Sequence, residues 1–313
     1  MLVIPLAVTA RDEARALPAC LDSLLAAARV AERELPVRIA PVVVLDRCRD
    51  TTGAIAATRG VRTLVSEGGG GKVEAQRTAV RACPAAVHLF SDADVLVTPD
   101  TLAALCEVML AEPGVRVATP PRMPLPPRSQ APLARALHVY NARRGFSSGR
   151  AWFSGKLFAI RGWAVPDAAD IARRAARLPP RRFEALAAPL TVDDVYLSRR
   201  IVHDHGAAAL RETTRGLLSF RAPETWRGMY RYYRRMRREL ARVDALFPEL
   251  RVVAPRVPDL LAAATDGERR AWRMFELALA ACRVAYRAEQ LAVDRLGAPV
   301  RDPWPAIAET KAL

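Results

Sequence analysis

The chain has 313 residues, 51% of them hydrophobic, which is enough to bury a sizeable core and excludes an intrinsically disordered polypeptide. Lys and Arg number 48 against 33 Asp and Glu, a net charge of +15 that favours anionic partners such as nucleotides, phospholipid head groups or nucleic acid. The five cysteines, Cys20, Cys48, Cys83, Cys106 and Cys282, show neither a CxxC nor a paired spacing, so they exclude a disulfide framework and a cysteine metal cluster and read as reduced, small core residues.

Residues 1–8 are too short, and too poor in flanking basic residues, for a secretory signal, and no apolar run reaches the ~18 residues of a membrane span. Residues 2–8 read as a strand, and 14–34 as a helix with Leu17, Leu21, Leu24, Leu25 and Ala28 on one face. A continuous apolar strand follows at 39–45, a short helix at 51–59 and a strand at 61–65. The glycine run Gly68, Gly69, Gly70, Gly71 opens a helix over 72–82; strand 86–90, helix 98–111 and strand 115–119 come next. Apolar strands alternating with amphipathic helices predict a mostly parallel sheet covered on both faces.

Beyond residue 120 the rhythm breaks. Residues 120–132 are proline-rich and basic and read as a loop or an extended crossing. A helix is predicted over 133–144, a strand over 152–160, an Arg- and Ala-rich helical excursion over 171–188, a helix over 194–205 and a strand over 207–211. From Pro223 the chain reads as helical, and from Leu296 as an extended, Pro-rich tail.

The segment Ser91-Asp92-Ala93-Asp94 ends the apolar run Ala85-Ala86-Val87-His88-Leu89-Phe90. Two carboxylates at i, i+2 in the mouth of a buried strand are costly unless a cation sits there. Oxygen-only ligands suit Mg²⁺ or Mn²⁺ carrying substrate phosphates. Alternatively, Asp92 and Asp94 cap the helix that follows Thr98-Pro99-Asp100. Three more polar segments fall at the same predicted sheet edge, where open α/β sheets bind ligands: Thr9 to Glu13, Asp46 to Thr52, and the glycine run with Lys72. The glycine run is not a Walker loop, because Ser66 stands where its first glycine belongs and Val73 where the Ser/Thr belongs. No G-x-G-x-x-G follows the first strand.

In order, Val8-Thr9-Ala10-Arg11-Asp12-Glu13, Val43-Val44-Leu45-Asp46-Arg47-Cys48-Arg49-Asp50-Thr51, Gly71-Lys72, Asp92-Ala93-Asp94, Ser154-Gly155-Lys156-Leu157-Phe158 and Val192-Asp193-Asp194-Val195 resemble the signatures of family 2 glycosyltransferases of the GT-A fold. The resemblance spans about the first 220 residues and implies an α/β fold with a catalytic domain over 1–220. Within it, 1–120 would form the nucleotide-sugar half and 121–220 the acceptor-side half, followed by a helical extension over 221–313. It also implies an inverting transfer of a sugar from a nucleoside-diphosphate sugar. Thr9, Ala10, Arg11, Glu13, Asp46, Lys72, Asp92 and Ala93 would line the donor pocket, Asp94 with Asp92 would hold Mg²⁺ or Mn²⁺, Gly155 and Lys156 would face the acceptor, and Asp194, beside Asp193, would be the general base. The chain departs from the family pattern at Asp12, where asparagine is usual, and at the Asp193-Asp194 pair, where Glu-Asp is usual. It lacks the Gln-x-x-Arg-Trp of processive synthases, which points to transfer of a single sugar. Asp193 has an alternative reading as a plain helix N-cap.

Arg227, Arg231, Arg234, Arg235 and Arg238 share one helix face, and a row of like charges calls for an anion. The candidates are the donor diphosphate, an anionic acceptor or an anionic membrane surface; the alternative is a solvated face partly paired with Glu224 and Glu239. His203 and His205 point apart at i, i+2 and read as helix-end residues rather than metal ligands. The stripe Trp272, Phe275, Leu279, Cys282 and Tyr286 reads as packing on the catalytic domain, or else as membrane contact. The expected partners are a nucleoside-diphosphate sugar and a small-molecule, glycan or lipid-linked acceptor, without nucleic acid; the expected location is cytoplasmic, extending to the inner membrane face. Two other classes stay open: a sugar nucleotidyltransferase, and a non-catalytic basic module for nucleic acid or membrane.

Overall fold

Strand β1 (Leu2–Ala10) buries Ile4, Leu6 and Val8 against one layer and Ala7 against the other, the two-sided burial that its unbroken apolar run predicts. The computed structural model describes residues 1–66, 71–145, 152–178, 186, 188, 190–251, 260–296, 308–311 and 313. After β1 come α1 (Leu17–Glu34), β2 (Val37–Leu45), α2 (Thr52–Thr58), β3 (Arg62–Val65), α3 (Lys72–Ala82) and β4 (Val87–Asp92). Next are β5 (Val95–Val97), α4 (Thr101–Ala111), β6 (Val117–Thr119), β7 (Arg122–Pro124), α5 (Pro132–Gly145), β8 (Leu157–Arg161) and α6 (Ala168–Ala175). The chain finishes with α7 (Asp193–His205), β9 (Leu210–Glu212), β10 (Leu218–Phe220), α8 (Trp226–Leu246) and α9 (Asp266–Leu296).

The main sheet has seven strands in the order β3-β2-β1-β4-β8-β6-β9. β8 runs antiparallel to both of its neighbours, β4 and β6, and the remaining pairings are parallel. Thr9 of β1 lies opposite Val44 of β2 and Asp92 of β4, which sets the two acidic strand ends side by side. Helices α1 and α4 cover one face with Leu17, Leu21, Leu24, Leu102, Leu105 and Met109. The other face carries α3, α6 and α7 around Phe90, Phe158 and Ile160. Each fully buried Leu or Phe contributes about 1.5–3 kcal/mol of transfer free energy. A third cluster joins α5, α8 and α9 through Ala136, Leu137, Met229, Phe275 and Cys282.

A second sheet, in the order β5-β10-β7, sits beyond the tip of β4. Within the segment expected as a loop or extended crossing over 120–132, only β7 is regular before α5 opens at Pro132; as an edge strand it tolerates Pro124, and 125–131 run as loop. The strand expected at 152–160 begins only at Leu157, and the one expected at 207–211 follows a 3₁₀ turn, Ala207–Ala209. Of the excursion expected over 171–188, α6 is the observed helix; residues 179–185 lie outside the described residues, as do Gly68, Gly69 and Gly70 and most of the tail after Leu296. No helix among the described residues is long and apolar enough to cross a membrane.

Candidate active site

The strand order reverses around β1: β2 and β3 lie on one side, β4 on the other. Such a reversal leaves a crevice outside the carboxyl ends of the strands. Asp92 closes β4 there, and its backbone N–H donates to the carbonyl of Lys156 at 2.7 Å. Asp94 sits in the tight connection to β5, so the capping reading of this pair fails: the N-cap of α4 is Asp100, one strand further on.

Lys72, the first residue of α3, is the hub. Its ammonium lies 2.7 Å from Asp92 Oδ1 and 3.4 Å from Asp193 Oδ1, and it donates to the carbonyl oxygen of Gly155. Burial opposes this charge, but Asp193, Asp92 and Asp194 more than offset the burial and hold Lys72 above the ordinary lysine range. Asp193 and Asp194 are the first two residues of α7, where the helix dipole favours carboxylates by ~0.3–1 kcal/mol each. The N-cap is Val192, which removes the reading of Asp193 as a plain cap. Asp193 is only 2% exposed and accepts from Gln76 Nε2 at 2.6 Å; Gln76 Oε1 in turn accepts from Trp163 Nε1 at 3.1 Å.

Asp194 accepts from the backbone N–H of Gly155 at 3.0 Å through Oδ2, while its buried Oδ1 has no hydrogen-bond donor. Burial and then the charge of Asp193 push Asp194 up to about 6, against the pull of Lys72 and the Gly155 N–H. No side chain fits at Gly155: an added Cβ would stand 2.9 Å from Asp193 Oδ1 and 3.1 Å from Lys72 Nζ. Lys156 Nζ lies 3.5 Å from Asp94 Oδ1 and 3.8 Å from Asp92 Oδ2.

Glu13 faces the same crevice. Burial, then Asp94, push its carboxyl up to about 7, and Lys311 from the chain's end, 2.8 Å away, pulls it down. Lys311 also donates to the carbonyls of Arg11 and Asp12. Buried oxygens without a hydrogen-bond donor thus occur on Glu13 (Oε2), Asp94 (Oδ1) and Asp194 (Oδ1), and the ammonium of Lys156 lies 3.5 Å from Asp94 Oδ1. Glu13 lies within electrostatic reach of Asp94 and Asp92, and hard carboxylate oxygens without a donor, such as Asp94 Oδ1, are the kind that a divalent cation takes as ligands.

The remaining donor-side residues spread along the two strand ends. Thr9 Oγ1 donates to the Ser91 carbonyl at 3.5 Å, Ala10 is buried, and Arg11 is exposed. Ala93 turns its methyl into the core, so only its backbone can serve a ligand. Asp46 is buried and already engaged, accepting from Gly71 N at 2.9 Å and Arg47 Nε at 2.9 Å. Asp12 and Arg47 both adopt φ of 53°, a left-handed turn that two non-glycine residues hold at the ends of β1 and β2. Ligating atoms of Asp12, Cys48 and Asp50 lie within 4.8 Å of one another, a second acidic grouping that the cysteine spacing did not suggest. These groups are spent on tying the two loops together: Asp12 accepts from Arg49 N, Asp50 from Ala14 N and Thr52 N, and Cys48 Sγ donates to the Ala10 carbonyl.

Apart from Arg227, which is exposed, the arginine row is not a solvated face. Arg234 is 6% exposed, and Arg234 and Arg238 reach Glu289 of α9 at 3.3 and 2.7 Å. Tyr230 donates to the other oxygen of Glu289 at 2.7 Å. Much of the counter-charge therefore comes from within the chain, while Glu239 pairs with Arg242 and Glu224 with Arg221. Arg235 packs over the Tyr232 ring at 5.4 Å, and Arg231 is half-buried. His203 and His205 are exposed at the end of α7. Phe275 and Cys282 are buried, and Tyr140 of α5 stacks on Phe275 at 3.8 Å, so that stripe of α9 packs on protein.

Sequence reasoning missed Gln76, which fixes Asp193, and Lys311, which faces Glu13. Gln76 carries a signal in hindsight, since it stands one helical turn after Lys72 on the same face. Lys311 carries none, because some 300 residues separate it from Arg11.

The model of glycosyl transferase family 2 matches residues 6–164. No curated protein matches the chain. Among solved structures, Mycobacterium tuberculosis glucosyl-3-phosphoglycerate synthase in complex with phosphoglyceric acid superposes with a TM-score of 0.50 at 15% identity, covering 78% of this chain and 80% of that one. The same enzyme with Mg²⁺ and uridine diphosphate gives a TM-score of 0.50 at 16% identity, with 78% and 79% covered. With Mn²⁺, uridine-diphosphate-glucose and phosphoglyceric acid it gives 0.50 at 15% identity, with 78% and 79% covered. At such identities the likeness is one of fold.

Proposed function

The chain belongs to glycosyl transferase family 2, and from that premise we propose that it moves a single sugar from a nucleoside-diphosphate sugar to an acceptor hydroxyl with inversion, Asp194 acting as general base. The observation that carries this reading is the meeting of Asp193-Asp194 with Lys72, Gly155 and Asp92 at the mouth of β4. A carboxyl pushed up to about 6 is ionised at neutral pH yet more basic than an ordinary aspartate, which suits proton abstraction. Asp194 Oδ1, buried and without a donor, is the atom that receives the proton. As the acceptor O–H bond yields its proton to Asp194, the acceptor oxygen bonds to the anomeric carbon. The bond from that carbon to the diphosphate breaks, and the nucleoside diphosphate leaves with the electron pair.

Thr9, Ala10, Arg11, Glu13, Asp46, Lys72, Asp92 and Ala93 line the donor pocket in this reading, and Gly155 and Lys156 border the acceptor. Asp94, with Asp92, would hold Mg²⁺ or Mn²⁺; the hard oxygen donors and the orphaned Oδ1 of Asp94 fit such an ion. When bound, the ion neutralises charge on the departing diphosphate. That the fold relative from M. tuberculosis was crystallised with Mn²⁺ and uridine-diphosphate-glucose supports this class of donor. The catalytic unit spans 1–220 and the helical extension 221–313. The outward face of α9 meets an anionic membrane surface, on the strength of its exposed Leu277, Val284 and Leu291 flanked by arginines.

The test is Asp194→Asn. It should retain nucleoside-diphosphate binding within about threefold while transfer falls at least 10³-fold. Loss of donor binding instead would move Asp194 into the donor pocket. Release of diphosphate from a nucleoside triphosphate by the wild type would replace transfer with nucleotidyl chemistry.

A further inference from the structure

Beside Asp194 a row of cations alternates with aromatic rings. Lys156 Nζ, which pairs with Asp94, lies 5.2 Å from the centroid of Phe220. The guanidinium carbon of Arg122 is 5.8 Å from the same ring and 5.2 Å from that of Trp152. Arg144 lies 5.1 Å from Trp152 and 5.5 Å from Tyr140, whose hydroxyl accepts from it. The small sheet builds this wall: β7 carries Arg122 and runs parallel to β10, which carries Phe220. Trp152 and Ser154 belong to the segment that leads into Gly155, the residue whose N–H holds Asp194.

Arg122 makes no ion pair among the described residues; its polar contact is Ser154 Oγ at 3.4 Å. Burial, assisted by the neighbouring charge of Arg144, holds Arg122 below the usual arginine range, against the opposing pull of Tyr232 and then of Asp194. Rings on one side keep a guanidinium flat and fixed, and its remaining N–H donors form a fork matched to an oxyanion. Two half-buried guanidinium groups on one indole repel each other, and an anion bound between them would relieve that repulsion.

We propose that Arg122 and Arg144, set against Trp152, form an anion subsite for the acceptor, so that the acceptor carries a carboxylate or phosphate monoester near the hydroxyl facing Asp194. This rests on the transferase reading and narrows its acceptor class. The subsite lies on the β7 side of Asp194, where Arg122 reaches Ser154, whereas Lys72 meets Asp92 and Asp193 on the α3 side.

Calorimetric titration of the full chain tests it, with Mn²⁺ and saturating uridine diphosphate present to occupy the donor side. Inorganic phosphate is the probe in one arm and glycerate in the other. At least one anion should bind. Arg122→Gln should weaken that binding tenfold or more, and Arg122→Lys, which keeps the charge without the fork, should fall between. Arg29→Gln, on the exposed face of α1, should leave it unchanged. The arm that binds identifies the anionic group. Failure of both anions to bind, or equal weakening by Arg29→Gln, would overturn the subsite. If none of uridine, guanosine, adenosine, cytidine and thymidine diphosphate binds the wild type, the transferase reading fails, and the same anion titrations without nucleotide still decide the subsite.

Discussion

Asp194 is a single carboxyl whose environment opposes its own ionisation, and that has two opposite consequences. In the proposed mechanism the base must be anionic, so transfer should fall on the acid side of a pKa near 6, and the limb should vanish from what residual rate Asp194→Asn retains. For stability the sign reverses. The folded pKa is raised above the ordinary 3.8, so the stabilisation is complete below pH 3.8 and is lost as pH climbs through about 6. At pH 8 the folded protein therefore carries an unfavourable ionised group, on the order of 1–3 kcal/mol. Asp194→Asn should raise the melting temperature at pH 8 by several degrees, and the gain should shrink towards zero at pH 4. Scanning calorimetry at the two pH values checks this, and a variant less stable at pH 8 would mean that the carboxylate holds the fold together. The position of Asp194 in an acidic pair at a helix start was legible in the sequence. Its contact with Gly155 was not, because nothing in the sequence periodicity encodes how close two loops approach.

At the scale of elements, Gly155 locks α3 to α7. Its carbonyl takes Lys72 and its N–H takes Asp194, and the space a Cβ would need is already filled by both partners. Gly155→Ala should cost about 1–3 kcal/mol through overpacking and should lower both transfer and donor binding, since the displaced atoms belong to Asp193, Lys72 and Asp194. Urea unfolding and donor titration read the two effects separately. The βα alternation through residue 119 was readable because the buried strands β1, β2 and β4 are continuous apolar runs and α1 and α3 show a 3.6-residue stripe. The three-residue strands β5, β7 and β10 are too short for any period to register, yet they hold Arg122 and Phe220 beside the site. The reversed direction of β8 was equally hidden, since alternation tells which face a residue takes and not which way the strand runs.

On the scale of the whole molecule, the arginine row and α9 exchange the roles that composition suggested. The row expected to seek an outside anion is instead partly answered by Glu289. Glu289→Gln leaves Arg234 buried beside a neutral partner and should destabilise the protein by about 2 kcal/mol, read as a shift in urea midpoint. Meanwhile α9 shows two apolar stripes. One, with Phe275 and Cys282, is covered by α5 and α8. The other, Met274, Leu277, Val284 and Leu291, is exposed, with Leu277 at 69% and Val284 at 67%. Arg273, Arg283 and Arg287 flank that second stripe and are exposed. Under the membrane contact proposed for α9, such a helix would lie along the surface rather than through it. Partial burial of four large apolar side chains would supply a few kcal/mol. Three arginines near an anionic surface would add about 1 kcal/mol each. The protein should therefore sediment with phosphatidylglycerol vesicles and not with phosphatidylcholine, and should release as salt rises. The pair Leu277→Asp and Val284→Asp should abolish sedimentation without loss of transfer to a soluble acceptor. Binding to neither vesicle, together with concentration-dependent dimerisation that the same pair removes, would instead assign the exposed stripe to a second copy of the chain.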